Sequence, residues 1–253
     1  MVNDKIRIAA ALLANSHSGV ALTGAGISTP SGIPDFRSPK SGLWSDIDPL
    51  AVASIYGFRQ NPSAFYEWIY PFLDIMLNAK PNAAHLALAT LESWGILNSI
   101  VTQNLDTLHT RAGSQIVYEL HGHIRELTCI HCFTVYDANP VISQFLKNRE
   151  VPHCTKCEAI LKPNVILFGE QLPVNVYIAA KEAVRKSDVL LIIGTSLEVA
   201  PASELPLIAC RNNAKIIIIN RETTYFDSRA TVVINGDAAE ILPQIMSCME
   251  AVG

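Results

Sequence analysis

A glycine-rich turn directly follows an apolar run near the start of the chain and is the first candidate for chemistry. The run 20–23 leads into Gly24 and Gly26, a pattern that is typical of a strand turning at a pyrophosphate site. Glycine tolerates a positive φ and lets the backbone come close to a ligand, so we expect the following amides to face an anion. An ordinary dinucleotide fingerprint has a third glycine where this chain has Thr29.

The residues after this turn are not those of a helix. Pro30, Gly32 and Pro34 interrupt any regular helical hydrogen bonding. The chain therefore delivers its next group of residues on a loop at the same end of the predicted strand. They are Asp35, Phe36 and Arg37.

Four cysteines form two pairs at the spacing of a metal site. Cys129-x-x-Cys132 and Cys154-x-x-Cys157 are separated by 21 residues, and four thiolates in such pairs predict a closed tetrahedral zinc site. A full set of protein ligands leaves no position for substrate, so the zinc is structural and its removal should unfold 124–164. The alternatives are two disulfides, which are rare in intracellular proteins, and a redox pair, which needs no second pair.

Composition narrows the class of protein. The chain has 253 residues, of which 49% are hydrophobic, enough for one large core and a small appendage. The formal charge of −4 provides no basic surface, which argues against direct nucleic-acid binding. The N-terminal apolar run is interrupted by Lys5 and Arg7, so we expect neither a signal peptide nor a membrane span. These features predict a cytoplasmic protein.

Apolar runs alternate with helical patterns along most of the chain. The runs predict strands that are buried on both faces, as in a parallel sheet, and the alternation predicts an α/β, Rossmann-like doubly wound fold whose ligands lie at the carboxyl ends of the strands. The predicted strands are 20–23, 100–102, 165–168, 189–193, 215–219 and 232–234, and the predicted helices are 4–14, 62–78, 83–94, 175–186, 202–212 and 238–251.

Polar and glycine residues follow these apolar runs directly. Carboxyl ends of parallel strands share one edge of a sheet, so these residues should meet there. They are Thr23-Gly24, Gln103-Asn104, His121-Gly122, Gly169-Glu170, Gly194-Thr195-Ser196 and Asn220-Arg221.

With the glycine turn, Asp35-Phe36-Arg37, Thr102-Gln103-Asn104-Leu105-Asp106, His121-Gly122 and the paired cysteines in this order, the chain resembles the sirtuin family of NAD-dependent protein-lysine deacylases over residues 5–245. The resemblance implies a cleft between two parts, where NAD and an acylated lysine meet. The implied parts are a Rossmann-type NAD-binding domain at 1–37, 99–123 and 165–253, a cofactor loop with a helical insertion at 38–98, and a four-cysteine zinc module at 124–164.

The residue types agree with this chemistry. An amide is a poor electrophile, and the site offers no activated serine, no metal-free cysteine and no catalytic zinc. The enzyme must therefore activate NAD, whose bond to nicotinamide breaks while the acyl-lysine oxygen captures the ribose carbon, mainly through positioning. His121 is the expected general base for a ribose hydroxyl. The products would be nicotinamide, 2′-O-acyl-ADP-ribose and free lysine.

The motifs and the resemblance together imply the remaining site residues. Asn104 has a catalytic role as well as a cofactor contact. The expected cofactor contacts are Gly24, Ala25, Gly26, Thr29, Asp35, Phe36, Arg37, Gln103, Asn104 and Asp106 near nicotinamide, Gly194, Thr195 and Ser196 at the phosphates, and Asn220, Arg221, Asp237 and Ala238 at the adenosine. The expected substrate contacts are Phe36, Ile166 and Phe168 around the acyl-lysine, and Gly169, Glu170, Leu197, Glu198 and Val199 along an added peptide strand.

One departure from relatives bears on the acyl group. Relatives that remove succinyl or malonyl groups carry Tyr-x-x-Arg on the helix after an Asn-Pro cap, and this chain has Ile69 and Phe72 at those positions. We therefore expect a preference for acetyl and other uncharged acyl groups.

The expected partners are proteins that carry acetyl-lysine, and we expect the enzyme to bind them as a monomer.

Three other functions fit parts of the pattern. A protein mono-ADP-ribosyltransferase would also cleave NAD and differ only in the acceptor. A zinc-bearing dehydrogenase would transfer hydride, although its structural lobe uses more tightly clustered cysteines. A non-enzymatic NAD sensor would bind without releasing nicotinamide, and the presence of His121, Asn104 and Asp106 argues against it.

Overall fold

A six-stranded parallel sheet organises most of the chain, of which the computed structural model describes residues 2–35 and 48–250. The strands follow one another in the order β3-β2-β1-β7-β8-β9, and every neighbouring pair is parallel. These strands are β1 Gly19–Thr23, β2 Leu97–Thr102, β3 Val117–Glu119, β7 Val189–Ile193, β8 Lys215–Asn220 and β9 Val232–Asn235. This is the order of a Rossmann fold, so the predicted fold class is confirmed.

A second, antiparallel sheet has the order β5-β4-β6. Its strands are β4 Gly122–Cys129, β5 Val135–Asp137 and β6 Leu161–Val165. The two paired-cysteine turns lie at one end of this sheet. It forms the smaller part of the structure together with one helix that follows β5.

Ten α-helices occur within the described ranges. They are α1 Val2–Ala14, α2 Pro49–Val52, α3 Ile55–Gln60, α4 Pro62–Asn78, α5 Ala83–Ser93, α6 Leu108–Ala112, α7 Ala138–Asn148, α8 Val174–Lys186, α9 Leu205–Arg211 and α10 Ala238–Glu250. Among these helices none combines the length and the apolar character that crossing a bilayer requires.

Local signals explain where several helices begin. The Asn61 side chain accepts a hydrogen bond from the Ala64 amide at the start of α4, and Pro62 occupies the first helical position. At the start of α5, the Asn82 side chain accepts from the Ala84 amide. Both helices begin where the sequence predicts.

The parallel sheet is covered on both faces, which is why its central strands are continuous apolar runs. Every residue of β1 and β7 is buried. One face carries a core that includes Leu13 of α1, Leu88 of α5 and Leu242 of α10. The opposite face carries a separate core with α8 and α9.

A third core joins the smaller sheet to the helical insertion. It contains Phe58, Phe65 and Tyr66 of α3 and α4, Phe145 of α7, and the ligand candidate Cys129. The Tyr66 ring meets the Phe145 ring edge to face at 5.0 Å. The insertion thus shares its core with the cysteine-bearing part rather than with the parallel sheet.

The observed elements differ from the predicted ones in several places. The prediction of a strand at 165–168 in the parallel sheet is wrong: β6 ends at Val165 in the antiparallel sheet, and residues 167–170 form a turn. The short strand β3 was not expected. The domain limits remain a prediction, but α5 packs in the core of the parallel sheet, which favours ending the insertion before Asn82.

Candidate active site

A cavity of about 790 Å³ runs along the carboxyl ends of the central strands, between the parallel sheet and the smaller part. The order of the sheet reverses between β1 and β7, which is the point where doubly wound folds bind ligands. Most of the predicted site residues line this cavity: Gly24, Ala25, Gly26, Thr29, Asp35, Gln103, Asn104, His121, Ile166, Phe168, Gly169, Glu170, Gly194, Thr195, Ser196, Glu198, Val199, Asn220, Arg221, Asp237 and Ala238. Phe36 and Arg37 lie outside the described residues.

The glycine turn is shaped by close packing between the two halves of the sheet. A Cβ added at Gly26 would lie 2.8 Å from the Gly194 Cα, and one at Gly24 would lie 2.7 Å from the Thr195 Cβ. The Gly26 amide donates to the Gly194 carbonyl at 2.8 Å, so it does not face a ligand. The expected positive φ occurs at Gly194 (φ 60°) and at neither of the two earlier glycines.

Gln103 links the two halves of the site. Its side-chain amide donates to the Thr195 hydroxyl at 2.9 Å, and its backbone amide donates to the Thr23 carbonyl. The neighbouring Asn104 is buried, and its side-chain nitrogen donates to the Gly24 carbonyl and to the Ser28 hydroxyl. These two bonds use both amide hydrogens, so the side-chain oxygen is what Asn104 offers to a ligand.

His121 lies where β3 passes into β4, and a backbone carbonyl fixes its ring. The Nδ1 atom is 3.0 Å from the Gln103 carbonyl oxygen. A carbonyl only accepts, so Nδ1 carries the hydrogen and Nε2 has the free lone pair. Burial lowers the pKa of His121 below its ordinary value, and the hydrogen bond to Gln103 only partly opposes this shift. The ring is therefore a neutral proton acceptor at neutral pH.

Asp106 lies below the floor of the cavity. One of its oxygens accepts from the Ser28 hydroxyl at 2.6 Å and the other from the Leu108 amide at 2.9 Å. Burial raises the pKa of Asp106 above its ordinary value, although these hydrogen bonds oppose the shift. Its expected contact near nicotinamide remains a prediction. Both carboxylate oxygens already accept a hydrogen bond, so this contact would use the second lone pair of one of them.

Two buried histidines support this floor, and the sequence analysis gave them no role. The Asn82 amide donates to Nδ1 of His85 at 3.3 Å, so Nε2 of that ring carries the hydrogen that points to the Ser28 hydroxyl. Nε2 of His109 is 2.9 Å from the Thr23 hydroxyl. Position 85 is the third helical position after an asparagine cap, a capping-box position that could have drawn attention to it.

Residues at and just after the ends of β8 and β9 form the end of the cavity that the sequence analysis expects to hold adenosine. The Asn220 side chain donates to the backbone carbonyls of Thr195 and Glu222, at 3.3 and 2.9 Å. Arg221 and Asp237 form an ion pair at 2.7 Å across the rim. The Asp237 carboxylate also accepts from the Ala239 amide and so caps α10.

The opposite end of the cavity is apolar. It includes Ile166 and Phe168, as predicted, together with side chains to which the sequence analysis gave no role in a ligand site. The latter are Phe65, Trp68, Leu105, Leu167 and Leu172. Ile69 also lines the cavity, whereas the Phe72 ring lies against the Trp68 ring at an interplanar angle of 57°, with centroids 6.2 Å apart. Helical spacing alone cannot distinguish a residue that faces a cleft from one that faces a core.

The two segments predicted to hold a peptide lie at the mouth of this apolar end. Residues 167–170 form a turn closed by a hydrogen bond from the Glu170 amide to the Leu167 carbonyl at 3.0 Å. Gly169 has a φ of 86°, which favours glycine at this position of a turn. On the other side, the Leu197 side chain is buried in the core, so only its backbone can serve a ligand.

The four paired cysteines meet as the sequence predicts. Their Sγ atoms all lie within 4.8 Å of one another, and the closest pairs are 3.5 Å apart. Thiolates about 2.3 Å from a central zinc would be about 3.8 Å apart, so the cluster fits a tetrahedral ion. The Tyr136 hydroxyl lies 3.1 Å from Cys154 Sγ, and its hydrogen bond, together with those of the Lys156 and Cys157 amides, lowers the pKa of that thiol to about 6, which favours the ligating thiolate.

Comparison with known proteins places these features in one family. The sequence profile of the Sir2 family matches residues 24–201. The chain is 47% identical to NAD-dependent protein deacylase 2 of Archaeoglobus fulgidus over 97% of this chain and 96% of that protein. It is 45% identical to the NAD-dependent protein deacetylase of Caldivirga maquilingensis, over 95% and 92% of the two chains.

Solved structures agree with the sequences. A structure from a study of the mechanism and regulation of Sir2 enzymes matches with a TM-score of 0.93 at 46% identity and covers 99% of this chain and all of the other. A Sir2 complex with a p53 peptide and NAD⁺ matches with a TM-score of 0.87 at 41% identity, over 96% and 97% of the two chains. The chain therefore belongs to the Sir2 family, the sirtuins.

Proposed function

We propose that this sirtuin uses NAD to remove acetyl and other uncharged acyl groups from lysine side chains of proteins. The products are nicotinamide, 2′-O-acyl-ADP-ribose and free lysine. The observation that carries the proposal is the neutral His121, whose Nε2 accepts protons in a cavity with a polar nucleotide end and an apolar end. Relatives of nearly equal length are named deacetylases and deacylases, and nothing favours the ADP-ribosyltransferase alternative over this function.

The polar end of the cavity fits NAD. Its residues lie at the reversal point of the sheet, and among them the buried Asn104 has a side-chain oxygen left for a ligand because its nitrogen is already bonded. Ala25, Thr29, Asp35 and Gln103 would hold the nicotinamide half, Gly194, Thr195 and Ser196 the phosphates, and Asn220, Arg221, Asp237 and Ala238 the adenosine. Bound NAD supplies a ribose carbon that accepts the acyl oxygen when nicotinamide leaves.

The protein's own part in the reaction is to position groups and to move one proton. Asn104 offers its side-chain oxygen to the ribose, because its nitrogen is committed to Gly24 and Ser28. His121 takes a proton from a ribose hydroxyl at Nε2 while Nδ1 stays bonded to Gln103. That carbonyl bond stabilises the imidazolium that results, since the Nδ1 hydrogen becomes more acidic.

The apolar end fits a neutral acyl-lysine. Ile166, Phe168 and Ile69 present hydrocarbon to it, and the unmodified ammonium of lysine would lose its hydration there without a compensating charge. The peptide backbone would lie between residues 169–170 and 197–199, both at the mouth of the cavity. Recognition through backbone groups makes the site tolerant of peptide sequence.

We further expect the enzyme to act as a monomer in the cytoplasm and without nucleic acid. The support for the last point is the formal charge of −4, which offers no field to attract a polyanion.

The direct test is to identify the products formed from an acetyl-lysine peptide with and without NAD. We expect equal amounts of nicotinamide, acetyl-ADP-ribose and free lysine peptide by mass spectrometry. His121→Gln should lose at least 100-fold in turnover while it still binds NAD, because the amide cannot act as a base at neutral pH. Acetylated peptide recovered intact, or ADP-ribose attached to protein, would refute the proposal.

A further inference from the structure

Residues 166–170, the acyl-lysine segment, are fixed to both parts of the structure by their backbone. The Ile166 amide donates to the carbonyl of His121 at 2.8 Å. The Phe168 amide donates to the Ala53 carbonyl, and the Phe168 carbonyl accepts from the Ile55 amide, both at 2.9 Å. The segment that would line the acyl-lysine is thus tied directly to the backbone of the general base.

A lysine outside the predicted site also contacts this segment. Lys162 lies on β6, and its ammonium donates to the Val165 carbonyl at 2.7 Å and to the Pro163 carbonyl at 3.2 Å. The Lys162 Nζ is also 2.9 Å from a carboxylate oxygen of Glu170. An ammonium has three hydrogens, and all three have a partner here.

The Glu170 carboxylate connects this lysine to the turn. The oxygen that meets Lys162 also accepts from the Leu167 amide at 2.8 Å, and the Glu170 amide donates back to the Leu167 carbonyl. The side chain and the backbone of Glu170 therefore close the same turn. Lys162 holds that closed turn against the end of β6.

The ion pair between Lys162 and Glu170 is partly shielded from solvent. The Lys162 side chain is 13% exposed and the Glu170 side chain 23% exposed. Removing one partner of a shielded ion pair leaves the other charge without compensation, which costs far more than loss of a surface pair. If position 162 held a neutral residue, the Glu170 carboxylate would turn toward water and would lose its hydrogen bond from the Leu167 amide.

We propose that Lys162 is a positioning residue for acyl-peptide recognition, acting through Glu170 on residues 166–170. This inference rests on the proposed function, because it takes the segment to be the wall of the acyl-lysine site. Lys162 has no place among the residues that line the cavity. Its effect should therefore fall on the binding of peptide and not on the binding of NAD.

The test compares Lys162→Met, which keeps the apolar stem, with Lys162→Arg, which keeps the charge and its donors. We expect Lys162→Met to raise the KM for an acetyl-lysine peptide at least tenfold, with the KM for NAD and kcat within twofold of wild type. Lys162→Arg should recover most of the loss. Lys186→Met is the matched control, because Lys186 pairs with Glu182 on the surface of α8, and it should leave all constants unchanged.

A purely structural role would appear differently. If Lys162→Met lowered the melting temperature but left the peptide KM unchanged, the inference would be wrong. Equal rises in both KM values would also refute it. If the proposed function is wrong, the wild-type enzyme will form no acetyl-ADP-ribose. If only this inference is wrong, the wild-type enzyme will turn over normally, and Lys162→Met will show no selective rise in the peptide KM.

Discussion

His85 is buried too deeply to touch a ligand, yet it affects the pH range in which the protein is stable. Burial lowers the pKa of His85 to about 4. The unfolded chain binds a proton at this residue below about pH 6.5, whereas the folded chain stays neutral until about pH 4. The stability that His85 provides is therefore present above pH 6.5 and is lost as pH falls toward 4.

We predict that His85→Asn removes one proton from the pH dependence of unfolding. Between pH 6 and 4.5 the free energy of unfolding should fall less steeply in the variant, by about 1 kcal/mol per pH unit. Urea titrations at several pH values measure this slope. Asp106 acts in the opposite direction, because its pKa is raised, but it is present in both proteins. Parallel slopes in the two proteins would contradict the prediction.

At the residue scale, the sequence was informative where a residue type has few uses at its position. The four paired cysteines cluster as predicted. His121, the predicted general base, lines the cavity. His85 and His109 were not predicted, since a histidine on a helix gives no sign of what lies opposite. Their partners, Ser28 and Thr23, come from segments more than fifty residues away in sequence.

At the scale of elements, α4 is the most instructive. Phe65, Trp68 and Ile69 lie three and four residues apart, so they share one face of the helix, and all three line the cavity. Tyr66 and Tyr70 lie about 100° further around the helix, where their rings meet Phe145 of α7. One helix therefore forms both a wall of the cavity and a wall of the third core.

The cavity-facing side of α4 predicts the preferred acyl group. We expect kcat/KM for a butyryl-lysine peptide to exceed that for a succinyl-lysine peptide at least 100-fold, because the added carboxylate would be buried beside hydrocarbon without a partner. Ile69→Arg should narrow this ratio. Ile75→Arg, on the exposed side of the same helix, should leave it unchanged, and comparable wild-type rates on both peptides would refute the prediction.

Most elements could be predicted because periodicity and caps agree along the chain. Strands β1, β7, β8 and β9 were predicted within a residue or two of their bounds. The run after β6 was misassigned, since four apolar residues followed by glycine resemble a buried strand as well as a turn. Tertiary hydrogen bonds decide between them, since the Phe168 amide donates to the Ala53 carbonyl and the Ile166 amide to the His121 carbonyl, and no local pattern contains these bonds.

At the scale of the whole molecule, the residues that the structure describes form three hydrophobic cores, and the paired cysteines belong to the third. That core extends from Cys129 and Cys154 to Phe65 and Tyr66 of α4. The Tyr66 hydroxyl donates to the Leu161 carbonyl at 2.7 Å, and Leu161 pairs with Cys129 across the antiparallel sheet. Leu161 therefore connects the paired cysteines to α4, the helix that lines the cavity, because it contacts both Cys129 and Tyr66.

We predict that removing zinc unfolds the cysteine-bearing part and loosens α4, while the parallel sheet persists. Hydrogen exchange followed by mass spectrometry should show lost protection in residues 122–165 and in α4 after chelation, and retained protection in β1, β7 and β8. Cys132→Ser should reproduce this pattern, and Cys210→Ser, far from the cluster in sequence and on α9, should not. Uniform loss of protection, or none, would show that the cores are not separable in this way.

His121, the proposed general base, and the acyl-lysine segment occupy two places where the chain crosses between the parallel sheet and the smaller part. His121 lies on the first crossing, Ile166 on the second, and one backbone hydrogen bond joins them. We expect any rocking of one part against the other to displace the atoms near this bond less than the atoms at the rims of the cavity. Opening the mouth to admit a peptide would then move the outer rims most and the reacting atoms least, so the enzyme can exchange substrates without dismantling its catalytic geometry.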